Sequence, residues 1–175
     1  EEVVPATLDV LHGMKPRNER GMADRLDLAR WLFDEANPLV PRVAANHVWS
    51  QLFGHGIVRT INDFGVRGEG PTHAALLDWL AVDFFEHGWG AKRIHRMIMT
   101  STVYRQASSR AEQHPSTGHR PPNQRDPDNR LLWRMNLRRL DAEAIRDSVL
   151  AVSGPINYAM GGPPIMLKSE SSGLQ

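Results

Sequence analysis

The sequence contains no cysteine and only three lysines among its 21 basic residues. Without cysteine, these residues hold no disulfide, no thiolate metal ligand, no cysteine nucleophile and no covalently attached c-type haem. No apolar run approaches the roughly 18 residues that cross a bilayer, so no membrane span is predicted. Alternation of apolar and polar residues never exceeds a few positions, which argues against a β-rich fold.

The N-terminal stretch also lacks the features of a targeting signal. EEVVPATLDV has neither the basic start nor the apolar stretch of a secretory signal peptide, and it has no initiator methionine. We therefore expect the chain to be a fragment of a longer protein, whose compartment these residues do not disclose.

Composition and charge are those of a globular domain. Of the 175 residues, 41% are hydrophobic and 23% are charged, which is typical of one folded domain. Residues 1–91 hold 8 basic and 13 acidic residues, whereas residues 92–146 hold 12 and 5. The predominance of arginine is typical of fixed bidentate ion pairs, although a GC-rich genome would favour arginine codons equally. The basic span is a weak nucleic-acid footprint, and because the net charge is only +1 we expect no nucleic-acid partner.

Apolar residues that recur every three or four positions predict five or six helices. The predicted segments run from Asp24 to Asn37, from Pro38 to Gly54, from Thr72 to His87, from about Gly90 to Ser101, around residues 129–133, and from Asp141 to Gly154. Gly88 is the expected left-handed terminator of the third helix. The Asp141 carboxylate is expected to cap the N–H of Ala144 in the last one. Most of the five tryptophans are expected to lie in the core or between helices.

The fold class is therefore all-α: a single domain of five or six helices with a long Pro-rich surface loop. That loop is residues 108–127, SSRAEQHPSTGHRPPNQRDP, which hold four prolines and almost no apolar residue. We expect a leader at residues 1–23 that either docks or hangs free, a helical domain at residues 24–164, and a loosely held tail at residues 165–175.

The stretch NDFGVRGEGPTH, residues 62–73, is the first place to look for a ligand. Its glycines follow the order G-x-x-G-x-G, which is reversed from the dinucleotide fingerprint, and no strand precedes them. The start of the third helix, at Thr72 and His73, offers free backbone N–H groups to an anion. Asp63 and Glu69 are flanked by Arg59 and Arg67, so we predict a rigid turn in which these acids and arginines pair.

Other catalytic or metal chemistry has little support. The eight histidines include no pair at helical ligand spacing, so no metal site is predicted. The serines lie in or after helices without the strand–turn–helix setting of an activated nucleophile, and no catalytic residue is assigned. The candidate ligand or docking residues are Arg59, Asp63, Arg67, Glu69, Thr72, His73 and His95.

Four runs of residues carry a resemblance to a known family. They are NPLVPRVAANHVWSQLFGHGIVRTINDFGVRGEGPTHAALLDWLA, GWGAKRIHRMIMTSTVYRQAS, DPDNRLLWRMNLRRLDAEAIRDSVLAVSG and MGGPP. Together they resemble a planctomycete-specific domain of unknown function over residues 24–164. Members often have Arg where this chain has His47, so His47 is not taken as a family catalytic residue.

The resemblance implies a cellular location and neighbouring domains, but it does not imply a reaction. That family occurs in large exported proteins, often beside a cytochrome c-like domain, so it implies a periplasmic or otherwise extracytoplasmic bacterial protein. It also implies that any haem lies elsewhere in the parent chain, with no cofactor in this fragment and the neighbouring domains as its partners.

Two functions remain in view. The first is a non-catalytic accessory or interaction domain of a larger exported multidomain protein. The alternative is an enzyme acting on an anionic or sugar substrate around Asp63, Arg67, Glu69 and His73, with acid–base work by Glu69 or His73. Carboxylates saturated by ion pairs and backbone bonds would favour the first, and an open pocket faced by His73 or His95 would favour the second.

Overall fold

The all-α prediction is confirmed. The structure, a computed structural model, describes residues 7, 10–17, 21–108, 122–154, 159 and 161–162, and in these ranges it contains six helices and no strand. The helices are α1 (Arg25–Leu32), α2 (Leu39–Phe53), α3 (Ala74–Glu86), α4 (Ala91–Thr100), α5 (Pro122–Arg125) and α6 (Ala142–Ser153). The backbone groups into two compact units, residues 1–137 and residues 138–175.

The first helix begins as predicted but ends earlier than predicted. Asp24 accepts hydrogen bonds from the N–H groups of Leu26 and Asp27, and Asp27 accepts one from the N–H of Asp24, which completes a capping box. The helix then ends at Phe33 rather than at Asn37. Asn37 is buried and its amide donates to the carbonyl of Trp31 at 3.2 Å, so it holds the connection to α2 instead.

The core of the first unit lies where α2, α3 and α4 pack against one another. Its buried members are Ala45, Trp49, Phe53, Ile57, Val58, Leu77, Leu80, Phe84, Ile94 and Ile98. Trp49 stacks on Phe53 with ring centroids 4.2 Å apart, and Tyr104 meets Phe53 edge-on at 5.6 Å. Aromatic stacking on one face of α2 therefore forms the centre of the unit.

The turn after α3 contains a strained tryptophan. Gly88 has φ +68°, as predicted for a left-handed terminator, and Trp89 follows it with φ +61°. Trp89 lies edge-on against Phe33, Phe84 and Phe85, at centroid distances of 4.9, 5.3 and 5.9 Å. These ring contacts stabilise a backbone conformation that tryptophan rarely adopts.

Tryptophan was not a uniform indicator of the core. Trp49 is buried, but Trp79 on α3 has 54% of its surface exposed. Trp79 is therefore the exception to the expectation that most tryptophans lie in the core or between helices, since the other four are buried or partly buried.

The predicted helix around residues 129–133 is also wrong. Asn129 and Leu132 have φ of +52° and +54°, which no α-helix tolerates. The nearest helix is instead α5, which has four residues and lies within the predicted Pro-rich loop. Residues 109–121 of that loop lie outside the described residues.

The second unit contains α6, whose N-cap is Asp141 and whose C-cap is Gly154, at the limits that were predicted. The Asp141 side chain makes no capping hydrogen bond, so the predicted cap on Ala144 is wrong. No residue of α6 is buried. The predicted tail, residues 165–175, lies outside the described residues, as do residues 1–6, 8–9 and 18–20 of the predicted leader.

Candidate functional site

The glycine-rich stretch is attached to α2 by one buried side chain. The amide of Asn46 donates to the carbonyl of Val58 at 3.0 Å, and its oxygen accepts from the N–H of Val58 at 2.9 Å. Gly56 passes so close that a Cβ there would lie 2.7 Å from the Asn46 amide. Only glycine fits at this crossing, and the loop therefore starts from a fixed point.

The loop itself is held by a compact set of internal hydrogen bonds. The hydroxyl of Thr60 donates to the carbonyl of Asp63 at 2.7 Å and accepts from the N–H of Glu69 at 3.0 Å. The Asp63 carboxylate accepts from the N–H of Gly65 at 2.9 Å. A Cβ on Gly68 would overlap the carbonyl of Asp63. The prediction of a rigid turn is consistent with these contacts.

The predicted pairing of acids and arginines within the loop is wrong, because the charged groups reach a distant segment. Glu69 pairs with Arg130 at 3.1 Å. Arg59 donates to the carbonyl of Asp128 at 3.2 Å. Arg67 is exposed and forms no ion pair within the described residues. The loop therefore contacts residues 126–130, which lie more than sixty positions later in the sequence.

Residues 126–136 form a turn that is held by hydrogen bonds between its own residues. This turn was not predicted from the sequence. The buried Asp126 carboxylate accepts from the N–H groups of Arg130 and Leu131, at 2.8 and 2.7 Å. The amide of Asn129 donates to the carbonyl of Arg134 and to Asn136, both at 2.8 Å. The residues D-P-D-N are typical of such turns and were the available signal.

The remaining candidate residues bond locally. Thr72 donates its N–H to the carbonyl of Ile57 at 2.9 Å, so it closes the base of the loop. A ring nitrogen of His73 lies 3.0 Å from the Thr72 hydroxyl. On α4, Nδ1 of His95 lies 2.6 Å from the carbonyl oxygen of Ala91 in the same helix. Neither histidine lines the cavities that flank the loop.

Two cavities flank the loop, and the two candidate carboxylates line different ones. The cavity of about 230 Å³ is bordered by Glu69 and Arg42, and the cavity of about 680 Å³ is bordered by Asp63, His47 and Arg42. The larger cavity also has apolar walls, which include Leu11, Leu39, Val43 and Phe64. Asp63 and Glu69 therefore do not face the same cavity.

Arg42 was missed because its role depends on residues far along the chain. It lies on α2, and its guanidinium donates to Asp78 on α3 at 2.6 Å and to the carbonyl of Pro38 at 3.0 Å. It borders both cavities beside the loop and also a third, of about 410 Å³. His47, also on α2, is exposed.

The third cavity is a groove between the α1–α2 connection and α3, here called the acidic groove. Its apolar walls are Pro38, Pro41, Ala81, Val82 and Phe85, and its polar rim is Glu35, Asn37, Arg42, Asp78 and Glu86. Apart from the Arg42–Asp78 pair, the rim carboxylates form no ion pair within the described residues. The groove therefore combines an apolar floor with uncompensated negative charge.

A separate charged cluster joins α3 to α4. Asp83 receives two hydrogen bonds from the Arg93 guanidinium, at 2.6 and 3.3 Å, and His87 lies 3.4 Å away. The hydrogen bonds from Arg93 lower the pKa of Asp83, although burial opposes them. The same pairing raises the pKa of Arg93.

The described residues contain neither a metal-binding cluster nor a membrane-spanning helix. They hold no group of three or more His, Asp or Glu side chains placed to bind a metal ion. None of their helices is both long and apolar enough to cross a membrane.

Comparison with known families decides the relationship of the chain. Residues 24–174 match the model described as PSD1, a protein of unknown function (DUF1553). The chain belongs to this family. The PSD1 match begins at the N-cap of α1 and includes the glycine-rich loop and the 126–136 turn. The resemblance to a domain of unknown function is thereby confirmed.

Other comparisons add no relative. No curated protein matches the chain, and no solved structure does. The link of this PSD1 domain to planctomycetes and to cytochrome c-like domains remains a prediction.

Proposed function

We propose that this domain is a non-catalytic interaction module of a larger exported bacterial protein, and that it docks a neighbouring domain of the parent chain through the acidic groove. The observation that carries the proposal is the exposed apolar and acidic surface along α3. The occupant is a segment with an apolar side chain beside an arginine or lysine.

The apolar part of this surface is larger than the groove alone. Val82 lines the groove with 53% of its surface exposed, and Trp79 lies one turn before it on the same face of α3. Exposed tryptophan beside an apolar groove is typical of interface hot spots, since burial on binding releases its large apolar surface from water.

The charge of the groove selects the kind of partner. Glu35 and Glu86 lie on the rim, and neither forms an ion pair within the described residues. Opposite charge on the incoming segment would speed association and fix its register, whereas an acidic segment would be repelled. Of the rim groups, the Arg42 guanidinium is already held by Asp78.

The contacts of the glycine-rich loop support a structural role for it. Glu69 is engaged by Arg130, and Asp63 by the N–H of Gly65. The acid–base roles that the alternative gives to Glu69 and His73 would need these two side chains to face one cavity. His73 bonds to the neighbouring Thr72 and borders neither cavity beside the loop.

A binding measurement with the separated parts tests the proposal. This domain and the remainder of the parent chain would be purified as two polypeptides and titrated together by isothermal calorimetry. We expect a saturable interaction that Val82→Arg weakens about tenfold or more, since it places charge in the apolar contact. Glu86→Lys should weaken it as well, through repulsion of the basic segment.

Val66→Arg is the matched control. Val66 is a fully exposed valine at the tip of the glycine-rich loop and does not line the groove. It should leave affinity unchanged. Absence of any interaction, or equal loss with Val66→Arg and Val82→Arg, would overturn the proposal.

The setting of the parent protein is part of the same proposal and rests on the resemblance alone. The parent chain is exported, and a neighbouring domain carries haem. Haem staining of the periplasmic and cytoplasmic fractions, with an antibody to this domain, tests both statements. Recovery of the parent chain in the cytoplasm, or without haem, would contradict them.

A further inference from the structure

A cavity of about 440 Å³ lies between the described residues 10–17 and α1, and we call it the leader cavity. Two contacts hold its walls together. The indole N–H of Trp31 donates to the carbonyl of His12 at 2.7 Å, and the N–H of Arg17 lies 3.5 Å from the Asp27 carboxylate. The volume is within the roughly 300–1,000 Å³ of small-molecule sites.

Basic side chains without partners surround this cavity. Lys15, Arg17 and Arg30 all line it, and all three residues are exposed. Their side chains form no ion pair or hydrogen bond within the described residues, unlike those of Arg42, Arg93 and Arg130. Three unpaired cations on one cavity attract an anion, and two of them are arginines suited to bidentate binding of an oxyanion.

The carboxylates of the cavity are already engaged. Asp27 is buried and accepts the N–H of Asp24 at 3.1 Å as part of the α1 capping box. Asp34 accepts the N–H of Ala36 at 2.8 Å. Because these two carboxylates accept hydrogen bonds from backbone N–H groups, they do not pair with the three basic side chains. The cavity is thus lined by three positive and two negative side chains.

The partly exposed side chain of His12, which also lines the cavity, supplies an independent observation. Both ring nitrogens of His12 are buried without a hydrogen-bond partner in the described structure. The Asp34 carboxylate is 3.8 Å from the ring, which is too far for a hydrogen bond. A buried polar nitrogen without a partner is destabilising, and rotation of the His12 ring towards the cavity that it lines would give this nitrogen a bound oxygen atom as acceptor.

We propose that the leader cavity binds a small molecule bearing an oxyanion, namely a carboxylate, sulfate or phosphate group. Lys15, Arg17 and Arg30 neutralise the anion, and His12 donates a hydrogen bond to it. The volume exceeds that of a single oxyanion, so the ligand carries an uncharged portion that fills the remaining space beside Trp31. The site is independent of the acidic groove, and residues 12–17 lie ahead of the stretch that matches the family.

Titration with simple anions tests the site. Inorganic phosphate, inorganic sulfate, glucuronate and uncharged glucose would be added at low ionic strength, with calorimetry for affinity and the Trp31 indole N–H resonance as a local probe. We expect the three anions, and not glucose, to bind and to shift that resonance. Added sodium chloride should weaken binding, because it screens the charges. Which anion binds most tightly then identifies the source of the oxyanion.

Variants with matched controls separate a site from general charge attraction. Arg30→Gln should weaken anion binding about tenfold, since one charge-assisted bond is lost. Arg25→Gln, which removes an exposed arginine of the same helix that does not line the cavity, should not. Asp34→Asn should strengthen binding, because it removes a negative charge and keeps an acceptor for Ala36.

Three results would overturn the proposal. They are no binding of any anion, equal loss of affinity with Arg25→Gln and Arg30→Gln, and binding that leaves the Trp31 resonance unmoved. Circular dichroism checks that each variant is folded, and Lys15→Gln replaces Arg30→Gln if the latter unfolds.

Discussion

The side-chain amide of Asn46 pairs with both backbone groups of Val58, at 2.9 and 3.0 Å, in a fully buried position. This contact substitutes for the backbone pairing that a neighbouring strand would provide. It ties α2 to the start of the glycine-rich loop and satisfies a donor and an acceptor that no water reaches. The loop is therefore an extension of the core rather than a flexible excursion.

Asn46→Ala should lower the free energy of unfolding by about 1–3 kcal/mol, because it leaves the buried N–H and carbonyl of Val58 without partners. Urea unfolding followed by circular dichroism measures the change. Asn62→Ala, at an exposed position of the same loop, is the control. A loss as small as that of the control would show that the Asn46 pairing contributes no net stability.

Gly56→Ala should destabilise the domain by about 1–3 kcal/mol, because its Cβ would collide with the Asn46 amide and force the core apart. Gly70→Ala is the matched change, since nothing lies within 4 Å of a Cβ at that position. It should be neutral or stabilise by up to about 1 kcal/mol through the unfolded state. Thermal melts of the two variants measure the difference. Equal melting temperatures would contradict the close approach of Gly56 to the Asn46 amide.

The Glu69–Arg130 pair should contribute little to stability despite joining distant segments. Both side chains are nearly half exposed, and exposed pairs are worth about 0.2–1 kcal/mol. A double-mutant cycle with Glu69→Gln and Arg130→Gln measures this coupling, which should fall further at high salt. Coupling well above this range, or insensitive to salt, would mean that the pair is more desolvated than the structure indicates.

The Asp83–Arg93 contact should make stability depend on pH in the acid range. The pKa of Asp83 is lowered in the folded state by hydrogen bonds from Arg93. Its stabilising contribution is therefore present above the unfolded aspartate pKa of about 3.9 and is lost as pH falls through the lower folded value. Asp83→Asn should consequently melt below wild type at pH 7, and the difference should shrink towards pH 3.

Arg93→Gln provides the reciprocal test of this contact, because it removes the hydrogen bonds that lower the pKa of Asp83. The variant should lose the same acid-range component of stability that Asp83→Asn loses. Melting curves that stay parallel to wild type down to pH 3 in either variant would show that another group carries the pH dependence.

The helices of the first unit were predictable because their signals are local. Asp24 is followed by an apolar repeat, Pro38 stands just before a helix, and Gly88 stands just after one. Each of these residues acts on backbone within a few positions of itself. The same reasoning failed at residues 129–133, where the Asp126 and Asn129 side chains compete for backbone groups and favour a turn over a helix.

The internal hydrogen bonding of the glycine-rich loop was predictable from the sequence, but the partners of its charged side chains were not. The glycine-rich loop is held by internal hydrogen bonds, as its composition indicated. Glu69, however, forms an ion pair with Arg130 and not with the nearby Arg67. A carboxylate pairs with whichever arginine the packing of distant segments brings within reach. That choice cannot be made from residues adjacent in sequence.

The sequence by itself determined the all-α class, most helix limits, the absence of disulfides and the place of the rigid loop, because each follows from residue type and short-range spacing. Only the tertiary structure decided that Arg42 would border three cavities, that Trp79 would face outward, and that Lys15, Arg17 and Arg30 would share one cavity. The physical reason is the same in each case: these arrangements join residues on separate elements, and their relative placement is set by how the helices bury their apolar faces.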